Sequence, residues 1–242
     1  MEKKILETIK KYNLIEDGEK VVIGVSGGPD SITLLDALLK IKNKGIIKFD
    51  VLVCHVNHLI REEAIDDENY VKDYCKKNNI ECFIKRADVE KIAEKEKKGT
   101  EETGRKIRYE FFNEILKKTN SNKIATAHNK NDNAETVLMN IIRGSGLTGL
   151  KGIEPCNNKY IRPLIEIKRE EIEEYCFKNK LNPRYDETNE DNIYTRNKIR
   201  NVVIPYVKKE LNPNIIETIR RLSLIVKDDI DFLDIQFSIP FP

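Results

Sequence analysis

The run Val21-Val22-Ile23-Gly24-Val25-Ser26-Gly27-Gly28-Pro29-Asp30-Ser31 decides the fold. Four β-branched residues precede the glycine pair, the composition of a strand buried on both faces. After the glycines, Ile32, Leu34, Leu35, Leu38 and Leu39 recur with the spacing of one helix face. The stretch therefore reads as strand, glycine turn, helix. Two adjacent glycines let the backbone approach a ligand closely, and the N–H groups that open the helix carry its positive dipole end, so phosphate is the natural guest. No lysine follows Gly28, which excludes a Walker A loop, and the third glycine of a dinucleotide fingerprint is missing. Pro29 and Asp30 taken alone also suit an ordinary helix start.

Outward from this run, strands and helices alternate. Strands are expected at 20–25, 50–55, 81–87 and 123–127, and helices at 31–41, 63–78, 102–117 and 131–142, with a charged segment reaching Gly99 and an amphipathic helix at the N-terminus. Such alternation specifies an α/β fold, a parallel twisted sheet with helices on both faces, followed by a helical C-terminal tail. Later segments predict a charged helix at 168–180 and one long amphipathic helix at 212–234, its apolar side formed by Ile215, Ile219, Leu222, Ile225 and Val226. In open sheets of this kind ligands bind beyond the carboxyl ends of the strands, so the residues just past each strand are the candidates.

The second strand runs into His55-Val56-Asn57-His58, which holds two of the chain's 3 histidines. Gly104-Arg105-Lys106-Ile107-Arg108-Tyr109 sets Arg105 and Arg108 on one helix face, as a solvated basic stripe or as phosphate contacts. The fourth strand ends at His128 and leads into a helix bearing Asp132 and Glu135 three positions apart, hence on one face near its start. Capping by Asn131 or Asp132 would account for part of this pattern. A carboxylate pair so placed also suits Mg²⁺, through oxygen ligands, or an amine bound as its ammonium. Residues 143–152 carry four glycines and read equally as a helix C-cap with loop and as a substrate-contacting turn. Arg196, Asn197 and Arg200 open a basic segment suited to solvent or to RNA phosphate.

Composition narrows the classes. Lys and Arg number 43 against 41 Asp and Glu, a net charge of +2, so any nucleic-acid contact comes from local patches. No apolar stretch approaches membrane-spanning length and the N-terminus has no signal-peptide pattern, so a cytoplasmic protein without a membrane partner is expected. The 5 cysteines include no C-x-x-C pair, which signals neither a disulfide framework nor a zinc or iron–sulfur site. Oligomeric state, a homodimer included, is left open.

The loop at 26–31 resembles the SGGxDS pyrophosphate loop of the N-type ATP pyrophosphatases. With His-Val-Asn-His at 55–58, Gly-Arg-Lys-Ile-Arg-Tyr at 104–109, Ala-His-x-x-x-Asp-x-x-Glu-Thr at 127–136, Asp186-x-Thr188-Asn189 and Arg-Asn-x-Ile-Arg at 196–200, nearly the whole chain resembles the tRNA(Ile)-lysidine synthases. The resemblance implies that ATP adenylates the C2 carbonyl oxygen of the wobble cytidine in a CAU anticodon of tRNA(Ile), after which free L-lysine displaces AMP through its ε-amine. It assigns Ser26, Gly27, Gly28, Pro29, Asp30, Ser31 and His55 to ATP, with Asp30 to Mg²⁺. His128, Asp132 and Glu135 fall to lysine or catalysis, and Arg105, Arg108, Arg196, Asn197 and Arg200 to ATP or tRNA phosphates. It also implies a catalytic domain over 1–205 and, over 206–242, the start of a helical tRNA-binding region that stops short. Two positions depart from the family pattern: Leu59, where glycine is common, and Gly104, where alanine is usual. The alternatives are a tRNA cytidine thiolation enzyme, for which a cysteine pair is expected, a small-molecule amidating synthetase with a glutaminase domain, and a non-catalytic adenine-nucleotide-binding fragment.

Overall fold

A computed structural model describes residues 1–60, 64–184 and 195–238, with side chains as far as 234. The chain divides into two compact units, Met1–Ala127 with Pro155–Tyr185, and His128–Glu154 with Asp186–Pro242. These units interleave along the chain. The reason is that the helix at 130–142 buries its apolar face against the late helices of its own unit.

The first unit is built on a six-stranded sheet of order β3-β2-β1-β4-β6-β5. The strands are β1 (Lys20–Gly24), β2 (Asp50–Asn57), β3 (Cys82–Arg86), β4 (Lys123–Ala125), β5 (Cys156–Asn157) and β6 (Tyr160–Ile161). All neighbours are parallel except β5, which runs antiparallel to β6, so the expected parallel sheet is present with one short antiparallel strand at its edge. Strand order reverses between β1 and β4, which makes the carboxyl end of β1 the topological switch point.

The alternation of side chains along β1 distributes the core. Val21 and Ile23 face one way, into a cluster with Ile5 and Ile9 of α1 (Glu2–Tyr12), Leu34, Leu35 and Leu38 of α2 (Pro29–Asn43), Val71 and Cys75 of α3 (Ala64–Lys77), and Ile172 of α8 (Arg169–Lys178). Val22 faces the other way, with Leu52, Cys54 and Ile124, onto Phe111, Phe112 and Ile115 of α5 (Thr100–Lys118). Each of these apolar side chains, fully buried, contributes about 1.5–3 kcal/mol. Gly24 has no side chain because Phe112 fills that space: a Cβ there would meet its ring at 2.6 Å. The charged segment before Gly99 contains a short helix, α4 (Val89–Glu96), which Asp88 caps by accepting from the Lys91 N–H at 3.1 Å.

The second unit is helical: α6 (Lys130–Ile142), α7 (Leu147–Leu150), α9 (Thr195–Lys198), a π-helical turn (Ile199–Val203), α10 (Ile204–Glu210) and α11 (Ile215–Ser238). Ala134 and Val137 of α6 pack on Ile199, Ile204, Ile216 and Ile219. The expected apolar side of the last helix is rotated. Its buried face carries Ile216, Ile219, Arg220, Ser223 and Val226, while Leu222 and Ile225 are 39% and 54% exposed. Asn133 fixes that rotation, donating to Ser223 Oγ at 3.3 Å while its own Oδ1 accepts from the Ile153 N–H at 2.7 Å. Among the described residues no helix is long and apolar enough to cross a membrane.

Candidate functional site

The turn after β1 sits at the switch point, and its shape follows from Gly27 and Ser31. Gly27 adopts φ +99°, a backbone region that a side chain would strain. Ser31 Oγ accepts from the N–H groups of Ser26 and Gly27 at 3.1 and 3.2 Å and donates to the Gly28 carbonyl at 3.0 Å. One hydroxyl thus ties the turn to the first turn of α2. Gly28 is the N-cap of this 15-residue helix and supplies no capping side chain; Pro29 follows at the helix start, with Asp30 in the first turn. From the far end of the unit, the Arg184 N–H closes on the Gly27 carbonyl at 3.0 Å, and the Arg184 Nε reaches Asp67 at 3.2 Å. α8 braces the helix start, the Cys176 thiol lying 3.1 Å from Thr33 Oγ1.

His55 lies near the end of β2 and is 3% exposed. Its Nδ1 donates to the Val25 carbonyl at 2.8 Å, which leaves Nε2 as the acceptor, buried and without a hydrogen-bond partner among the described residues. Burial lowers its pKa, so the ring is neutral. His58 is also held neutral, at about 4, by burial and by the positive charge of Arg108. Leu59 stands at φ +53° with its N–H donating to Asn57 Oδ1 at 3.0 Å, so this chain places a leucine where the backbone favours glycine. Gly104 lies against the His58 ring, and a Cβ there would sit 3.5 Å from it, at ordinary contact distance.

Beneath these groups is a residue that no motif announces. Glu68, 1% exposed, accepts from Arg86 Nε and Nη2 at 2.8 and 2.9 Å, Lys72 Nζ at 2.6 Å and Asn57 Nδ2 at 3.0 Å. The Arg86 fork, aided by Lys72 and Asn57, overcomes burial and holds the carboxyl down at about 2. Glu68 thereby anchors the ends of β2 and β3. Arg105 and Arg108 are exposed on α5, and Arg105 stacks over the Tyr109 ring, 5.1 Å from its centroid.

In the second unit the sequence-predicted acids and bases meet each other. Asn129, not Asn131 or Asp132, caps α6: its side chain accepts from the Asp132 N–H, and Asp132 Oδ2 accepts from the Asn129 N–H, both at 3.0 Å. Half-buried His128 directly precedes this cap. Asp132 Oδ1 receives Arg196 Nη2 at 3.1 Å and Arg200 Nη2 at 3.2 Å. Glu135, 1% exposed, takes Arg196 Nε at 2.9 Å on Oε2, and Arg200 Nε at 2.7 Å on Oε1. Burial works against the Arg196 charge, but the two carboxylates outweigh it and raise its pKa. Asn197 lies in α9 between the two arginines. Asp186, Thr188 and Asn189 of the preceding motif lie outside the described residues.

Among the described residues no group of three or more His, Cys, Asp or Glu is arranged to hold a metal ion. A cation at Asp30 would therefore draw most of its ligands from phosphate oxygens and water.

A glycine turn at the switch point of a mostly parallel sheet, opening an uncapped helix, defines an α/β protein of the phosphate-binding kind. The chain belongs to the PP-loop domain family, whose pattern matches residues 1–207. It is similar to the tRNA(Ile)-lysidine synthase of Clostridium acetobutylicum, with 50% identity over 234 residues, which cover 95% of this chain and 50% of that protein. It is also similar to the tRNA(Ile)-lysidine synthase of Clostridium perfringens, with 45% identity over 244 residues, covering 100% of this chain and 52% of the relative. The chain thus spans about half the length of the curated relatives it matches. Among solved structures, the U34-tRNA thiolase NcsA of Methanococcus maripaludis shares the fold, with a TM-score of 0.75 at 22% identity over 93% of this chain and 78% of that one.

Proposed function

We propose that this chain carries the catalytic half of an ATP-dependent tRNA(Ile)-lysidine synthase. In this reading the turn at Ser26, Gly27, Gly28, Pro29, Asp30 and Ser31 binds the phosphates of ATP through backbone N–H groups and the dipole of α2. Ser31 holds the turn in register, and the neutral His55 lies at the edge that takes the nucleoside. Asp30 would hold a Mg²⁺ ion, which would offset the charge of the departing pyrophosphate. Adenylation of the C2 carbonyl oxygen of the wobble cytidine turns a poor leaving group into AMP. The ε-amine of free lysine then attacks C2, C–N bond formation accompanies C–O cleavage, and the amine proton passes to a base, for which His128, Asp132 and Glu135 are the candidates. The product pairs with A instead of G. Arg105, Arg108, Arg196, Asn197 and Arg200 are assigned to ATP and tRNA phosphates, and the protein works in the cytoplasm.

The observation that carries the reading is the acidic pair Asp132 and Glu135 clamped by Arg196 and Arg200. A plain nucleotide-binding fragment has no use for it. Whole-chain similarity to proteins named tRNA(Ile)-lysidine synthase supports it further. The thiolation alternative is less supported: the curated relatives matched over the whole chain are named tRNA(Ile)-lysidine synthase, whereas the thiolase NcsA shares the fold at 22% identity.

The test is incorporation of labelled lysine into an unmodified CAU-anticodon isoleucine tRNA transcript with ATP and Mg²⁺. Label on the wobble cytidine that disappears in Asp132→Ala is the expected result. Nucleotide binding with no transfer of label under any condition would refute it.

A further inference from the structure

Of the N–H groups in the turn after β1, Ser31 Oγ already takes those of Ser26 and Gly27, and Pro29 has none. Gly28 is left as the donor of the turn itself. Its N–H reaches Ser26 Oγ at 3.3 Å, longer than an ordinary hydrogen bond and readily surrendered to a phosphate oxygen. A trans peptide is planar, so the direction of this N–H is set by the carbonyl of the same peptide, that of Gly27, which points the opposite way. Two adjacent glycines allow that peptide to flip at little steric cost. The Arg184 N–H, bonded to the Gly27 carbonyl at 3.0 Å, removes the freedom. Arg184 itself ends a stretch, 181–184, that has no regular secondary structure. One face of α3 holds this stretch. Tyr70 donates its hydroxyl to the Leu181 carbonyl, and Asp67, three positions earlier on the same face, accepts from Arg184 Nε at 3.2 Å. The Asp67 side chain is 12% exposed and that of Arg184 is 42% exposed, which shields the pair in part from solvent. Asp66 adds a looser contact, 3.6 Å from Arg184 Nη2. The same turn of α3 lies directly behind Gly27, where a Cβ would meet the Asp67 carbonyl oxygen and Val71 Cγ2, each at 3.7 Å.

We infer that Asp67 is a positioning residue for the phosphate turn: by anchoring the Arg184 side chain it keeps the Arg184 N–H on the Gly27 carbonyl, and so aims the Gly28 N–H at the bound phosphate. This inference rests on the reading of the 26–31 turn as the phosphate site and deepens it, placing control of the turn in two residues outside its motif. Simple electrostatics gives a different expectation. Loss of the Asp67 carboxylate removes a negative charge beside the turn and favours phosphate, whereas loss of the Arg184 guanidinium leaves Asp66 and Asp67 uncompensated by it and disfavours phosphate. Positioning makes both changes harmful, because either one cuts the same connection between α3 and the Gly27 carbonyl.

The experiment is equilibrium dialysis of labelled ATP and of labelled adenosine against the unaltered chain, Asp67→Asn, Arg184→Ala and the double variant, with the folding of each checked by circular dichroism. ATP affinity is expected to fall about fivefold in each single variant, the worth of one hydrogen bond. The double variant should lose no more than either single one, since the two side chains act as a unit. Adenosine affinity should stay unchanged, because adenosine carries no phosphate for the Gly28 N–H to meet. Unchanged ATP affinity in a folded single variant overturns the inference, as does tighter ATP binding by Asp67→Asn, the signature of charge alone. A double variant that loses the product of the two single factors overturns it too, as does an equal loss of adenosine affinity, the mark of a loosened fold. Arg184→Ala, at a half-exposed position, decides where Asp67→Asn does not fold. ATP bound equally by the unaltered chain and the variants defeats the inference alone, whereas an unaltered chain that binds no ATP defeats the phosphate reading and the inference with it.

Discussion

Replacing Glu68 with glutamine should cost stability in a way that fades with acid. Its carboxyl is buried, receives four donors and titrates at about 2 instead of 4.5. The span from 4.5 to about 2, at about 1.36 kcal/mol per pH unit, gives an upper bound of about 3.4 kcal/mol. The Arg86 and Lys72 side chains are 57% and 46% exposed, so solvent screening brings this to about 1.5–2 kcal/mol. Because the folded pKa is the lower one, this stabilisation is complete above pH 4.5 and is lost as pH falls through about 2. Glutamine keeps the shape but sets an NH₂ group against a ring of donors. Urea unfolding of both proteins at pH 7, 5 and 3, followed by circular dichroism, should show Glu68→Gln about 1.5–2 kcal/mol less stable at pH 7. The gap should shrink by about half at pH 3. A gap that is constant with pH would refute the argument, because the loss would then come from packing and not from a depressed carboxyl.

Three further substitutions probe the candidate nucleotide site. Ser31→Ala removes the hydroxyl that ties three backbone groups of the turn, so affinity for a fluorescent ATP analogue should fall about tenfold, measured by titration. Leu59→Gly relieves a left-handed backbone and, after the entropy that glycine adds to the unfolded chain, should gain about 0.5–1 kcal/mol in urea melts. Gly104→Ala adds a Cβ at ordinary contact distance inside a 19-residue helix and should stabilise by about 1 kcal/mol, with the melting temperature rising by about 2–4 °C.

The parts of the fold that the sequence carries are those written locally. The β1–turn–α2 unit is legible because buried strand, glycine pair and helix face follow one another without a gap, and β2, β3 and β4 each alternate with a helix in the same way. β5 and β6 are two residues each, too short for any periodicity, so the antiparallel edge went unread. α4 reads as mere charge because only Val89 and Ala93 are buried within it. The site divides in the same way. The Ser26–Ser31 turn and the three-residue spacing of Asp132 and Glu135 are visible in the chain itself. Their pairing with Arg196 and Arg200, 61 to 68 residues away, is not, because each pair has an independent local explanation: helix-start acids in one case, a basic helix in the other. Glu68 gave no signal at all, since its partners come from three elements and its neighbours Asp66 and Asp67 make it look like part of a helix-start acidic run.

The bond from the Arg184 N–H to the Gly27 carbonyl joins positions separated by most of the first unit's sequence. The phosphate turn is therefore not a portable peptide. Its strand and helix are made first, but one of its carbonyls waits for a segment made more than 150 residues later, after β6 and α8. A ribosome-bound chain halted before that segment would hold the glycine pair with its shape unfinished, and a graft of the 21–43 stretch onto another scaffold would carry the motif without the strap that closes it. Competence to grip phosphate should consequently appear late and abruptly as the chain lengthens.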